Sequence, residues 1–284
     1  MPVKNIRGVD IVYEILGDSG PWVTVTPGGR RGLTGERALA ALIAEAGYRV
    51  LVHDRRNTGA SGIGFPGDSE SREQAEDLLV LLGELGTGPA YVAGSSSGAR
   101  MSILLAQHHP REVKGLLLWR VTGGEFAAKR LAFNYYEQYI DAVTKGGIDA
   151  VTKGGIDAVL ASEHFAAMAE ANPVNVETLR RMGGDAFKAS MQRWLAGFRA
   201  GCDYPVAGIS PENMRRITVP AIVVPGNDYT HPPAAAQAAH RLLRNSVYQE
   251  VLTQQVNADV DLVGWESGTG TLAARFIDFM RGQA

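Results

Sequence analysis

The chain contains one cysteine, Cys202, in 284 residues. An intrachain disulfide is therefore excluded. A lone cysteine is typical of a reducing compartment, so we expect a cytoplasmic protein. Neither sign of charge is in excess, because the 28 Lys and Arg residues nearly balance the 30 Asp and Glu residues and the net charge is −2. This balance provides no electrostatic basis for binding nucleic acid or an anionic membrane.

Long hydrophobic runs are also missing. No apolar stretch approaches the ~20 residues that cross a bilayer, and the N-terminal MPVKNIRGVDIVYEI lacks the apolar core of a signal peptide. We therefore expect no membrane segment and no leader. We predict neither a cofactor nor a metal, and we expect a small-molecule substrate as the partner. The sequence leaves the oligomeric state open, a homodimer included.

The sequence does have a hydrophobic content of 45%, sufficient for a large core. Short apolar segments alternate with helical ones, which predicts an α/β fold with a mostly parallel central sheet and helices on both faces. We expect the helix over 34–46 to be capped by Thr34. The predicted strands are 3–9, 11–16, 22–26, 48–53, 91–93, 113–121, 219–225 and 248–252, and the predicted helices are 34–46, 71–85, 97–108, 233–243 and 268–281.

About a hundred residues between the strands near Val121 and Val219 show no clear strand pattern. We interpret residues 122–216 as a helical cap inserted into a core formed by residues 1–121 and 217–284. It is expected at the carboxyl ends of the strands, where open α/β sheets bind ligands. Inside it, the octapeptide IDAVTKGG at 140–147 repeats at 148–155. We interpret the repeat as a duplication in a surface loop or helix end, since Gly-Gly pairs break helices.

The most informative motif is G-x-S-x-G, formed by Gly94, Ser96 and Gly98 between a predicted strand and a predicted helix. Every residue from 93 to 99 is Ala, Gly or Ser, as a strained strand-to-helix turn requires. Such a turn presents a serine hydroxyl, and the N-terminal end of the next helix favours negative charge beside it. The pattern therefore predicts a nucleophile elbow with Ser96 as the nucleophile.

Four segments together resemble the α/β-hydrolase family, in the cap-bearing group with esterases, lactonases and carbon–carbon bond hydrolases. They are Pro27-Gly28-Gly29, the stretch 54–61 (DRRNTGAS), the elbow around Ser96, and Pro225-Gly226-Asn227-Asp228. The resemblance extends over nearly the whole chain. It departs from the family at Pro27, where a histidine is usual, and at Arg56 and Asn57.

The resemblance implies a role for each matching position. Ser96 would attack the substrate, and the backbone N–H groups of Gly29 and Ser97 would form the oxyanion hole. Asp228 would orient a histidine and stabilise its charge. From the residues alone, Asp228 is also compatible with an ordinary turn after a strand.

The family's histidine should follow the last strand, yet residues 251–264 contain none, and Ala258 lies near the expected position. Of the six histidines, His231 is the best replacement, because it follows Asp228 by three residues on the loop at the active-site edge. We expect its imidazole within about 6 Å of the Ser96 hydroxyl, because a general base acts at hydrogen-bond range. The competing expectation is that His231 caps a turn and that Ala258 lines the hole left by the missing histidine.

These features favour a hydrolase that cleaves an ester or lactone bond with a serine nucleophile. The missing histidine keeps two alternatives open: a non-hydrolytic enzyme on the same fold (lyase, decarboxylase or isomerase), or a pseudoenzyme that binds a ligand. Aromatic residues at the start of the cap suggest an apolar or aromatic substrate. Arg30, or else Arg120, is suited to a carboxylate. The predicted substrate contacts are Arg30, Trp119, Phe126, Tyr135 and Tyr136.

Overall fold

The fold is organised around one sheet, described here from a computed structural model that covers residues 1–145, 154–253 and 255–283. Its strands are β1 Val3–Ile6, β2 Val9–Leu16, β3 Trp22–Thr26, β4 Arg49–His53, β5 Ala90–Ser95, β6 Val113–Trp119, β7 Ala221–Val224 and β8 Ser246–Tyr248. They lie in the order β1-β2-β4-β3-β5-β6-β7-β8. The pairs β1–β2 and β2–β4 are antiparallel, and all other neighbours are parallel. The predicted mostly parallel sheet is therefore confirmed.

Helices connect these strands, as parallel neighbours require. A 3₁₀ turn, Leu33–Glu36, precedes the first helix, another forms at Pro110–Glu112, and a π-helix covers Phe133–Glu137. The α-helices are α1 Arg37–Glu45, α2 Glu70–Glu84, α3 Ser97–His108, α4 Glu125–Ala132, α5 Gln138–Lys145, α6 Ile156–Leu160, α7 Glu163–Ala171, α8 Val174–Met182, α9 Gly184–Arg199, α10 Pro211–Arg215, α11 Pro233–Leu242 and α12 Leu262–Arg281.

The sheet is covered on both faces because consecutive strand residues point to opposite sides. On one face, Leu116 and Leu118 of β6 join an apolar cluster with α2, α3 and α11. On the other, Leu117 joins a cluster with α1 and α12. Both faces are therefore packed, as the continuous hydrophobic strands predict.

The chain between β6 and β7 forms helices α4 to α10, with the π-helix between α4 and α5. Many of their apolar side chains form a third cluster, including Phe165, Phe187 and Trp194. Among the described residues of this stretch, none pairs with the central sheet; Val206 and Ile209 form only an isolated bridge with each other. The division at residues 122 and 216 stays a prediction. The repeat begins in α5, and the rest of its first copy and most of its second lie outside the described residues.

Several predicted boundaries are wrong. The first predicted strand, 3–9, ends at Ile6, and Val9 already begins β2. Thr34 lies in the 3₁₀ turn and does not cap α1, which begins only at Arg37. The last strand is Ser246–Tyr248 rather than 248–252. Helix α12 begins at Leu262, six residues before the predicted start, because Asp261 caps it by accepting the Gly264 N–H at 2.7 Å. The low helix propensity of Gly264, Gly268 and Gly270 hides this first half from sequence analysis.

Candidate active site

Ser96 occupies the sharp turn between β5 and α3, in a left-handed conformation with φ 55°. The flanking glycines are required by close packing. A Cβ on Gly94 would lie 2.3 Å from the Gly98 carbonyl oxygen, and one on Gly98 would lie 2.4 Å from the Thr26 carbonyl oxygen. A positive φ at a residue with a side chain is uncommon and costs free energy, which the surrounding structure must offset.

Three side chains form a continuous hydrogen-bonded line at this turn. The Ser96 Oγ lies 2.8 Å from the Nε2 of His231, and the Nδ1 of His231 lies 2.7 Å from one Asp228 carboxylate oxygen and 2.9 Å from the other. All three residues are buried, Ser96 with 6% exposure and Asp228 with none. The Ser96–His231 distance is well inside the expected limit of about 6 Å, at direct hydrogen-bond range.

The loop after β7 folds back on itself to bring His231 to Ser96. A Cβ on Gly226 would lie 2.3 Å from the His231 carbonyl oxygen, so only glycine permits this close return. Asp228 also accepts the backbone N–H of His231 at 2.9 Å. The following Pro232 restricts His231 to an extended backbone, and Pro233 begins α11. Three consecutive local constraints therefore hold the imidazole in place.

The charge state of the pair follows from its surroundings. Burial lowers the pKa of His231 to about 4; the hydrogen bond to Asp228 opposes this shift, and the charge of Arg120 adds to it. Burial raises the pKa of Asp228, but the hydrogen bond and charge of His231 and the charge of Arg120 outweigh it and hold that pKa below its usual value. At neutral pH a neutral imidazole thus lies beside a carboxylate. The carboxylate can only accept, so Nδ1 carries the proton and Nε2 accepts from the Ser96 hydroxyl.

Arg120 is part of this arrangement in a way the sequence did not predict. It directly follows β6 with φ 53°, and its Nη2 lies 3.3 Å from an Asp228 carboxylate oxygen and 3.3 Å from the His231 Nδ1. Because Nδ1–H donates to Asp228, the second distance is a close contact rather than a hydrogen bond. The sequence feature that could have indicated a role for Arg120 in the site is its position at the carboxyl end of a strand, where ligand-binding residues are common in open α/β sheets.

The two predicted oxyanion-hole residues lie on either side of Ser96. The N–H of Ser97 is the first in α3 and has no partner within the helix. The turn that carries Gly29 lies against the serine, because a Cβ on Gly28 would be 2.8 Å from the Ser96 Cβ. Arg55 connects both sides, donating to the Ser97 Oγ at 2.9 Å and the Gly29 carbonyl at 2.8 Å. Arg55 belongs to the stretch 54–61 that carries the resemblance, but no role was predicted for it.

A cavity of about 570 Å³ opens above Ser96 and His231. Two of the predicted substrate contacts line it. They are Arg30 and Tyr135. Arg30 pairs with Glu70, and its guanidinium carbon lies 4.7 Å from the centre of the Tyr135 ring. Further lining residues are Arg31, Arg120, Arg130, Tyr139, Glu163 and His164.

The other three predicted contacts, Trp119, Phe126 and Tyr136, are corrected, because none of them lines this cavity. Trp119 is buried in the core, 5.6 Å from the ring of Phe276. Tyr136 packs 5.9 Å from the Phe198 ring and borders a different cavity. Phe126 is 43% exposed. Large aromatic side chains contribute most through packing, so their type alone does not distinguish a core position from a binding one.

Ala258 does not line the cavity around Ser96. Its carbonyl accepts the Tyr229 N–H at 3.0 Å, so its segment supports the loop that carries His231. Over the described ranges, no group of three or more His, Cys, Asp or Glu side chains could hold a metal ion. Within the same part of the chain, no helix is both long and apolar enough to cross a membrane.

Known proteins share this fold and part of this sequence. Residues 21–124 match the family described as "alpha/beta hydrolase fold". The uncharacterized hydrolase YraK of Bacillus subtilis is 32% identical over 110 residues, which is 38% of this chain and 40% of that protein. The sn-1-specific diacylglycerol lipase of Mus musculus is 32% identical over 117 residues, 40% of this chain and 38% of that protein. The matched stretch thus spans about two fifths of each curated relative.

A solved structure agrees over the full length. The enol-lactonase from Burkholderia xenovorans superposes with a TM-score of 0.66 and 20% identity, covering 99% of this chain and 100% of that one. At this identity the likeness concerns the fold. This is the α/β-hydrolase fold, and residues 21–124 carry the sequence pattern of that family.

Proposed function

We propose that this protein is a serine hydrolase that cleaves an ester or lactone bond of a small molecule. The observation that carries the proposal is the unbroken line from the Ser96 hydroxyl through His231 to Asp228, with contacts of 2.8 and 2.7 Å. A serine hydroxyl is a poor nucleophile until a base takes its proton. Here a neutral imidazole nitrogen lies at hydrogen-bond distance, oriented by a carboxylate.

In the proposed reaction, Nε2 of His231 takes the proton as Ser96 Oγ attacks the substrate carbonyl carbon. The oxyanion that forms accepts hydrogen bonds from the N–H groups of Gly29 and Ser97, and the N-terminal end of α3 favours its charge. The imidazolium then protonates the leaving oxygen, which leaves an acyl-Ser96. Water, activated by the same imidazole, hydrolyses the acyl-enzyme, and Asp228 stabilises the charged imidazole in both steps.

The cavity wall suggests the substrate class. Tyr135 and Tyr139 provide aromatic surface. Arg31 and Arg130, whose ion pairs with Glu36 and Asp259 are long at 3.7 and 3.5 Å, line the cavity together with Glu163. Guanidinium groups recognise carboxylates with paired hydrogen bonds. We therefore propose a small ester or lactone with an apolar or aromatic body and an anionic substituent. The proteins to which this chain is similar include a lipase and an enol-lactonase, and this is consistent with either an ester or a lactone as the bond that is cleaved.

We also propose that residues 122–216 act as a cap. Residues of α4, the π-helix, α5 and α7 line the cavity opposite the strand ends, and among them are Leu131, Gln138 and Ala167. A protein wall over the nucleophile limits water in the site and strengthens its hydrogen bonds. The two non-hydrolytic alternatives were motivated by an absent base, so the 2.8 Å contact favours hydrolysis over both.

The test is whether Ser96 is activated. The wild-type protein and an S96A variant would be treated with a fluorophosphonate probe, the labelled residue mapped by mass spectrometry, and p-nitrophenyl acetate turnover measured. We expect labelling at Ser96 and a loss on the order of 10⁶ in rate for S96A. S102A, a buried serine in the same helix, serves as the matched control. Unchanged turnover in S96A would exclude the proposed nucleophile.

A further inference from the structure

A second cavity, of about 440 Å³, lies on the flank of α3. Its lining shares no residue with that of the cavity at Ser96. Residues from α3, from the beginning of α2 and from α9 form its walls, and Arg100 is among them. We call it the Arg100 cavity. Its size is within the range of small-molecule sites.

Arg100 is 5% exposed, and its Nε and Nη2 have no hydrogen-bond partner among the residues that the structure describes. Two other buried arginines contact a carboxylate: Arg56 contacts Asp77, and Arg120 contacts Asp228. No described residue provides such a carboxylate for Arg100. Its guanidinium carbon lies 5.2 Å from the centre of the Phe198 ring.

A buried guanidinium without hydrogen bonds is unfavourable, and it cannot escape by losing its proton. An anion in the cavity would contact the edge of the guanidinium that lines it and would provide the oxyanion partner that the described residues do not. The remaining wall agrees with an anionic occupant: Ser71 and Arg72 belong to the first turn of α2, whose dipole favours negative charge. Asp68 is the one acidic side chain among the described lining residues, against Arg72 and Arg100.

We propose that the Arg100 cavity binds a small molecule that carries an oxyanion, either a carboxylate or a phosphate. The site is distinct from the one that contains Ser96 and does not depend on hydrolysis. Although the Arg100 N–H donates to the Ser96 carbonyl at 3.1 Å within α3, the guanidinium faces the other cavity. An S96A variant should therefore bind the anion as the wild-type protein does.

The experiment titrates inorganic phosphate, and separately succinate, into the protein at constant ionic strength, with chloride as the blank. Isothermal titration calorimetry would be recorded for the wild-type protein, R100M, R100K and, as a control, R111Q at the solvent-exposed Arg111. We expect one of the two anions to bind the wild-type protein and R111Q with one-to-one stoichiometry. Binding by phosphate alone identifies a phosphate site, and binding by succinate alone identifies a carboxylate site.

R100M should weaken binding by at least about tenfold, equivalent to about 1.4 kcal/mol. If R100M does not fold, R100K serves as the test variant, because lysine keeps the positive charge and lacks the paired donors of the planar guanidinium. R100K should also bind the anion more weakly than the wild-type protein. Trp194 lines the cavity, so its fluorescence gives a second measurement, with W194F to assign the signal. Absence of binding beyond chloride in the wild-type protein, or unchanged affinity in R100M or R100K, would overturn the proposal.

Discussion

The proposed base and acid come from one loop and are three residues apart. Asp228 accepts from the His231 side chain, from the His231 backbone N–H at 2.9 Å and from the Thr230 N–H at 3.0 Å. The carboxylate is therefore fixed by the same turn that carries the imidazole. A serine, an acid and a histidine need only meet in space, and their order or spacing along the chain is free to vary.

At the residue scale, the first prediction concerns the identity of the base. H231A should lower esterase turnover by a factor on the order of 10⁶, because Ser96 then has no proton acceptor. A258H alone should leave the rate unchanged, since His231 already occupies the position beside Ser96. Steady-state rates with p-nitrophenyl acetate test both variants. A gain in A258H together with full activity in H231A would mean that His231 is not the base.

The second residue-scale prediction concerns Arg120, whose charge lowers the pKa of His231. Activity requires the neutral imidazole, so kcat/KM should fall on the acid side as pH drops through the His231 pKa. R120Q removes the charge and raises that pKa, so the acid limb should move to higher pH. R120K keeps a charge and should leave the limb near its wild-type position. Profiles of kcat/KM from pH 3.5 to 8 would show this, and an unmoved limb in R120Q would contradict it.

Several site residues could be predicted because their signals are local. Ser96 has its glycines two residues away on either side, and His231 lies in the loop of Asp228. The contacts of Arg120 and Arg55 in the site were not predicted, because each residue binds partners that are more than 25 residues away in the chain. Such contacts arise only when strand ends meet at one edge of the sheet.

At the element scale, the return of the loop after β7 depends on Gly226. A Cβ there would lie 2.3 Å from the His231 carbonyl oxygen and 2.4 Å from the His231 Cβ. G226A should therefore displace the imidazole and lower turnover by about 100-fold, the cost of a displacement near 1 Å. Turnover and circular dichroism of the variant test this expectation.

The matched control is G270A, in the middle of α12, where an added Cβ meets nothing within 4 Å. It should keep full activity and gain about 0.5–1 kcal/mol of stability, since alanine restricts the unfolded chain and favours the helix. Wild-type activity in G226A would show that the loop tolerates the clash and that Gly226 does not position His231.

Element positions were predictable where hydrophobic patterns are strong and less so at the ends. The buried strands β3 to β7 lie within or close to the predicted ranges, because their apolar runs are continuous. The π-helix Phe133–Glu137 was not predicted. It carries two adjacent tyrosines whose side chains border different cavities, Tyr135 that of Ser96 and Tyr136 that of Arg100. Such an irregularity depends on packing between helices and leaves no periodic signal.

At the scale of the whole molecule, the alternation of strands and helices was sufficient to predict the sheet and its two covered faces. The strand order was not predicted, because the rules for crossovers restrict the possible topologies without selecting one of them. The burial of polar groups was not predictable in the same way. His53 is fully buried, with no hydrogen-bond partner for either ring nitrogen among the described residues. Nothing in its neighbourhood in the sequence distinguishes it from an exposed histidine.

The last prediction follows from three histidines, of which His53 and His231 are buried and His164 is half-buried. Burial lowers the pKa of His53 and His164 to about 3 and that of His231 to about 4, against 6.5 as the ordinary value. Between pH 4 and 6.5 the unfolded chain therefore binds more protons at these sites than the folded protein. Burial of Glu36 acts in the opposite direction, raising its pKa to about 7, and burial also raises the pKa of Asp54. With the three histidines dominating, the free energy of unfolding should fall as pH is lowered from 6.5 toward 4.

Urea denaturation at pH 7 and pH 5 measures this dependence. H53L removes one of the three groups together with its two ring nitrogens that have no partner among the described residues, so it should lose less stability than the wild-type protein between the two pH values. The difference should be no more than about 1.4 kcal/mol per pH unit, the value for one proton. H240Q, at a histidine that is half-buried at the end of α11, is the control and should retain the wild-type dependence. Equal unfolding free energies at pH 7 and 5 in the wild-type protein would contradict the prediction that the three histidines dominate the pH dependence.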